Sequence, residues 1–167
     1  MPKSSNQNLS KKIEEIVVRL LTQQQRTLAL AESCTGGFIA NRITNVPGAS
    51  KIFLGGIVAY RNEVKERFLG VRSVTLKKFG AVSEKVACEM AKGARKKFGA
   101  DFAIAVTGIA GPGGGTRSKP VGTVFMALTG SFGTIAERKF NCFGREKFKE
   151  ITSQQALEML YWQLMKT

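Results

Sequence analysis

The chain contains no histidine. That absence removes the imidazole base of Ser-His-Asp and Cys-His catalysis, and with it the commonest metal ligand. Cysteine is scarce as well: Cys34, Cys88 and Cys142 are too few and too scattered for a disulfide framework or a zinc site. No apolar run approaches the ~18 residues of a membrane span. The opening "MPKSSNQNLSKK" has no signal-peptide core, so a cytoplasmic protein without membrane contact is expected. Internal repeats and linkers are missing too. At 167 residues this predicts one domain, with 1–9 as a flexible N-terminus and 10–167 as the folded unit.

Positive charge is what the chain has in excess, with 26 Lys+Arg against 12 Asp+Glu and a net charge of +14. Such a balance suits nucleic acid, a small anionic substrate or simply a soluble surface. The basic residues fall in scattered runs (Lys11-Lys12, Lys77-Lys78, Arg95-Lys96-Lys97) at helix ends and polar faces, with no aromatic-rich basic motif between them. Nucleic acid is therefore not the expected partner.

Hydrophobic periodicity predicts a helix over 10–25, with Ile13, Ile16, Val17, Leu20 and Leu21 on one face and Ser10 as N-cap. Further helices are expected over 36–45, over 62–69 between an Asn62 cap and a Gly70 stop, over 84–98 behind a Ser83 cap, and from Arg145 to the end. "TLALAE" (27–32), "KIFLGGIVAY" (51–60) and "DFAIAVTGIAG" (101–111) read as strands, and Gly55-Gly56 marks a bulge or a close backbone approach. "VGTVFMALTG" and "TIAERKFNCF" read as a hairpin. Helices alternating with strands, then a hairpin, predict an α/β fold: a three-layer α/β sandwich with a mixed sheet in a single domain.

Three stretches bear residues with chemistry. In "ESCTGG" (32–37) a strand runs into a helix through Ser33, Cys34, Thr35, Gly36 and Gly37. Helix-start amides there would attract an anion or a developing oxyanion. The same residues also fit a plain capped turn, with Ser33 or Thr35 as cap and Cys34 packed beneath. In "GGIVAYRNEVK" (55–65), Tyr60 and Lys65 stand at a strand end and a helix start, where both would lean towards the tip of the sheet or lie on the surface. Without histidine, lysine is the usual base for an activated nucleophile. Bringing its pKa from about 10.4 to about 7.5 destabilises the ammonium by roughly 4 kcal/mol. The third stretch, "VTGIAGPGGGTRSKPVG" (106–122), carries Thr107, Gly108, Gly111, Gly113, Arg117 and Lys119. Its amides and cations fit a phosphate cradle or a mobile surface loop, but neither a Walker loop nor the dinucleotide fingerprint.

Taken in order with "FGAVSEKVACEMAKGAR" (79–95) and "FGREKFKE" (143–150), these motifs resemble the C-terminal domain of the CinA (competence/damage-inducible) proteins over about residues 10–165. The expectation is of that domain alone, without the nucleotide-pyrophosphatase-like domain that precedes it in full-length CinA proteins. The resemblance implies an α/β sandwich. It also implies an amidase that converts nicotinamide mononucleotide, a pyridine nucleotide, to nicotinate mononucleotide and ammonia. By the same resemblance Ser33 is the nucleophile, Tyr60 and Lys65 are catalytic, and Arg145 matches the family's arginine near the last helix. Thr35, Gly36, Gly37, Thr107, Gly108, Gly111, Gly113, Arg117, Lys119 and Arg145 are the expected substrate contacts. Neither a cofactor nor a metal is expected, and the protein is expected to be a homo-oligomer. Ala59 and Arg61 stand where the family commonly has small hydroxyl residues, and Lys149 where it has a second arginine. A nucleotide- or partner-binding module of the same fold is the alternative reading.

Overall fold

Strand β1 (Leu28–Glu32) shows how the sheet sorts its neighbours by size. Leu28 and Leu30 face one side and Ala29 and Ala31 the other, as the two-residue period of a strand requires. β3 (Phe102–Gly108) repeats the division, with Phe102, Ile104 and Val106 opposed to Ala103 and Ala105. On the large-residue side pack helices α1 (Ile13–Gln23), α2 (Phe38–Thr44) and α6 (Arg145–Leu164), through Val17, Leu21, Ile39, Ile43, Phe148, Leu157 and Leu160. The alanine side receives α5 (Glu84–Phe98) through Ala87, Met90, Ala91 and Ala94, flanked by α3 (Asn62–Leu69) and α4 (Ser73–Phe79). The computed structural model describes residues 12–166; the segment 1–9 and the Ser10 cap lie outside the described residues.

With β2 (Phe53–Val58), β4 (Thr123–Gly130) and β5 (Gly133–Phe140), the sheet runs in the order β2-β1-β3-β4-β5. β1 lies parallel to both neighbours, and β4 runs antiparallel to β3 and to β5. This is the expected single-domain three-layer sandwich with a mixed sheet. The Gly55-Gly56 pair does both things foreseen for it. The β1–β2 register slips between Leu28 and Ala29, and a Cβ on Gly55 would lie 2.7 Å from the Phe98 ring.

Several local boundaries differ, and β3, expected to run to residue 111, already ends at Gly108. The strand expected from residue 51 starts at Phe53, after a 3₁₀ turn at Ala49–Lys51. α2 starts at Phe38, two residues later than expected. Asn62 is the first helical residue of α3 rather than its cap. Helix α4 was not foreseen, because its N-terminus is closed from elsewhere. Glu89 of α5 accepts from the Arg72 N–H at 2.9 Å and from Thr75 Oγ1 at 2.8 Å, across 17 and 14 residues of sequence. Ser83 caps α5 as expected, accepting from the Val86 N–H at 3.3 Å, and Gly70 ends α3 at φ 67°.

α5 passes close against the end of α3 at Gly93. A Cβ on Gly93 would stand 1.8 Å from the Leu69 carbonyl oxygen, a backbone atom that cannot swing aside. Gly93→Ala is therefore expected to destabilise the protein by at least the ~1–3 kcal/mol of an overpacked core, read as a fall in the urea midpoint. An unchanged midpoint would mean that the two helices separate freely.

Candidate active site

The carboxyl ends of β1, β2 and β3 meet on one edge of the sheet. The connection leaving β1 passes to the large-residue face, and the helices leading into β3 lie on the alanine face. Crevices at such a switch point are the common ligand site of open α/β sheets. Here a cavity of about 280 Å³ is lined by Ser33 after β1, by Tyr60, Asn62 and Lys65 after β2, by Thr107 to Gly111, Gly113 and Gly114 at the end of β3, and by Arg145 at the start of α6.

The turn bearing Ser33 is organised by the residue before it. Glu32 is buried, with 2% of its surface exposed. Its Oε2 accepts from Thr35 Oγ1 at 2.6 Å, from the Gly37 N–H at 3.0 Å and from the Ile39 N–H at 3.1 Å, while Oε1 accepts from the Ala40 N–H at 2.8 Å. The Gly36 N–H donates to the Ser33 carbonyl at 3.1 Å, and Gly36 and Gly37 have φ of 60° and 97°, conformations suited to glycine. Thr35, Gly36 and Gly37, the expected substrate contacts, are thus bonded within the turn itself. An internal carboxylate already fills the place of an external anion at this helix start, and none of the three lines the cavity. Cys34 packs beneath the turn, and burial pushes its thiol up to about 12.

Lys65 does not lie on the surface. Only 1% of it is exposed, and Nζ sits 3.1 Å from Ser33 Oγ, 2.7 Å from the Ala59 carbonyl and 3.1 Å from the Tyr60 carbonyl. Carbonyls only accept, so they hold two N–H bonds; in a neutral amine the remaining lone pair is left for the Ser33 hydroxyl. Burial drives the Lys65 pKa below its ordinary value. Serine and lysine touch directly, so no relay through tyrosine is required. The Tyr60 hydroxyl instead accepts a hydrogen bond from Arg145 Nη2, and Arg145 Nη1 donates to the Gly111 carbonyl at 2.7 Å.

The glycine-rich loop divides the remaining candidates. Gly108, Gly111 and Gly113 line the cavity, and so does Thr107, whose hydroxyl donates to the Ala81 carbonyl at 2.9 Å. Arg117 and Lys119 do not. Arg117 is exposed on the loop, and Lys119 Nζ donates to the Phe79 carbonyl at 2.7 Å, drawn to the negative end of α4. Of the expected phosphate cations, Arg145 alone reaches the cavity among the described residues. Sequence reasoning did not place Asn62 or Glu32 in the site. Each left a signal: Asn62 is three residues from Lys65 on one helix, and Glu32 is a carboxylate closing the apolar strand "LALAE". Among the described residues no three His, Cys, Asp or Glu side chains converge as a metal site needs, and no helix is long and apolar enough to cross a membrane.

Comparison with known proteins adds to this geometry. A family model described as the CinA C-terminal domain matches residues 10–164. A CinA-like protein of Thermotoga sp. (strain RQ2) is 58% identical over 117 residues, covering 70% of this chain and 29% of its own length. A CinA-like protein of Geotalea uraniireducens (strain Rf4) is 52% identical over 153 residues, covering 92% and 36%. The chain thus spans about a third of the curated relatives it matches. Among solved structures, the competence/damage-inducible protein CihA of Agrobacterium tumefaciens superposes with a TM-score of 0.84 at 43% identity, covering 89% of this chain and 93% of its own. A CinA superfamily protein of Klebsiella pneumoniae superposes at 0.89 with 32% identity, covering 93% and 97%.

Proposed function

This chain belongs to the CinA C-terminal domain family, and we propose that it is an amidohydrolase that deamidates nicotinamide mononucleotide through Ser33 with Lys65 as base. The observation that carries this reading is the buried lysine 3.1 Å from a serine hydroxyl on the wall of a cavity. A module that only binds a nucleotide has no use for such a pair, whose burial works against the charged lysine.

In the proposed reaction neutral Lys65 takes the Ser33 proton as Oγ attacks the carboxamide carbon. The C–O bond forms while the carbonyl becomes an oxyanion, for which the backbone N–H groups of the cavity-lining Cys34 and Gly108 are the candidate donors, each worth roughly 3–4 kcal/mol where such groups have been measured. Lys65 then passes its proton to the departing nitrogen, and ammonia leaves an acyl-serine. Water, deprotonated by Lys65, attacks the ester, and Ser33 regains its proton as nicotinate mononucleotide departs. The cationic pyridinium ring of the substrate withdraws electrons from the amide. Held near Lys65, it also favours the neutral amine. Release of ammonia from nicotinamide mononucleotide by the purified protein tests the reading; binding without release would favour the non-catalytic alternative.

Arg145 is the candidate for the substrate phosphate. Two of its five donors are engaged by Gly111 and Tyr60, which leaves three. A charge-assisted contact is worth roughly 1.5–3 kcal/mol. Nicotinamide riboside, without the phosphate, is therefore expected to show a kcat/KM about 10- to 150-fold below that of the mononucleotide, with the gap closing in Arg145→Ala. Equal kcat/KM for the two compounds in the native protein would remove the phosphate contact.

A further inference from the structure

Glu32 is the one buried carboxylate beside the nucleophile, and the reaction described above does not use it. It accepts four hydrogen bonds, from Thr35 Oγ1 and from the N–H groups of Gly37, Ile39 and Ala40. Three of these partners are backbone amides, which only donate, so both oxygens are fixed as acceptors. The partners all follow Ser33 in sequence, so the carboxylate that precedes Ser33 ties the end of β1 to the first turn of α2 across it. Among the described residues, the Ser33 backbone itself is held at two points: its N–H donates to Val106 and its carbonyl accepts from Gly36. We infer that Glu32 is a positioning residue for the nucleophile, the clamp that sets the 33–37 turn so that Ser33 Oγ stands against Lys65 Nζ.

Charge and shape both enter. Glutamine in place of Glu32 can keep its oxygen towards Thr35, Gly37 and Ile39, but it then turns an NH₂ group against the Ala40 N–H, donor against donor. Relieving that clash shifts the turn. A displacement of ~1 Å in a reacting group costs about 100-fold in rate. A carboxylate that merely capped α2 would behave differently, since its loss would lower stability and leave the serine of the folded molecules as reactive as before.

This inference rests on Ser33 as the nucleophile, and its test is independent of the substrate. A fluorophosphonate phosphonylates an activated serine: the Oγ–P bond forms, the P–F bond breaks and the hydroxyl proton passes to the base. The native protein is expected to label at Ser33, and Glu32→Gln about 100-fold more slowly at a temperature where both are folded. Ile43→Ala, which weakens α2 from a buried position that makes no bond to the carboxylate, is expected to label at the native rate. Thr35→Val, which removes one of the four donors, is expected to be intermediate, and it carries the test if Glu32→Gln does not fold. Equal labelling of Glu32→Gln and the native protein overturns the inference, as does equal slowing in Ile43→Ala. A native protein that labels at Ser33 yet releases no ammonia from nicotinamide mononucleotide refutes the proposed substrate while leaving the clamp standing.

Discussion

Ser33→Ala is expected to lower kcat by roughly four orders of magnitude or more, the scale on which single members of a nucleophile–base unit act, while Cys34→Ala stays within about tenfold of the native rate. The two residues are adjacent, yet their surroundings differ in the property that decides nucleophilicity. Ser33 Oγ faces the cavity within proton-transfer distance of Lys65. Cys34 lines the same cavity, but its thiol is raised to about 12 by burial, with the negative charge of Glu32 acting in the same direction. At pH 7 a thiol of that pKa is ionised in about one molecule in 10⁵, and the thiol form is a poor nucleophile. Ser33→Ala also leaves Lys65 bonded to the Ala59 and Tyr60 carbonyls, so folding is expected to persist and the loss to appear in kcat. Steady-state kinetics on both variants, with thiol alkylation of the native protein, reads the assignment directly. Alkylation that abolishes native activity while Ser33→Ala keeps it would hand the reaction to Cys34.

The elements that could be read from the sequence are those whose cause is local. Leu-Ala-Leu-Ala in β1 and Ala-Ile-Ala-Val in β3 show the period of a strand, and their division into large and small faces sets which helices pack where. Ser83 precedes α5 and caps it from one residue away; Gly70 follows α3 and ends it. Where the cause is distant, the reading slipped. α4 is closed by Glu89 from another helix, and no residue beside Ser73 announces it. α2 is closed by the side chain of Glu32, which lies before the turn, so the glycines that looked like an open anion site are internally satisfied. The same holds within the site. Ser33, Tyr60, Lys65 and Arg145 could be named from motifs, but the burial of Lys65 depends on Ala59 and Tyr60 turning their carbonyls inward at the end of β2. The path of the glycine loop, which carries Lys119 to α4 and leaves Arg117 outside, is set by long-range anchors such as Phe79 and Arg138 that composition does not reveal.

Lys65→Met is expected to abolish turnover, by about 10³-fold or more, and to abolish the pH dependence of what remains. Burial lowers the pKa of Lys65 from the ordinary 10.5, because the cavity wall solvates the ammonium worse than water does. Only the neutral amine accepts the Ser33 proton, so kcat/KM for the native protein should rise with pH through one ionisation below that ordinary value and then level off. With no histidine in the chain, no imidazole titration overlaps it. The same shift has a consequence for stability whose sign is fixed. The folded state binds this proton less tightly than the unfolded chain, so the contribution of Lys65 to stability is least favourable below the folded pKa and improves as pH rises towards the unfolded one. Methionine, of similar length and without charge, removes that slope along with the base. Lys65→Arg should also be inactive, because guanidinium stays protonated at any working pH. Affinity for nicotinamide mononucleotide, measured by calorimetry, should change little in Lys65→Met, since the proposed phosphate contact belongs to Arg145 and not to Lys65. A Lys65→Met protein with the native rate and the native pH profile would remove lysine from the mechanism and leave Ser33 without a base.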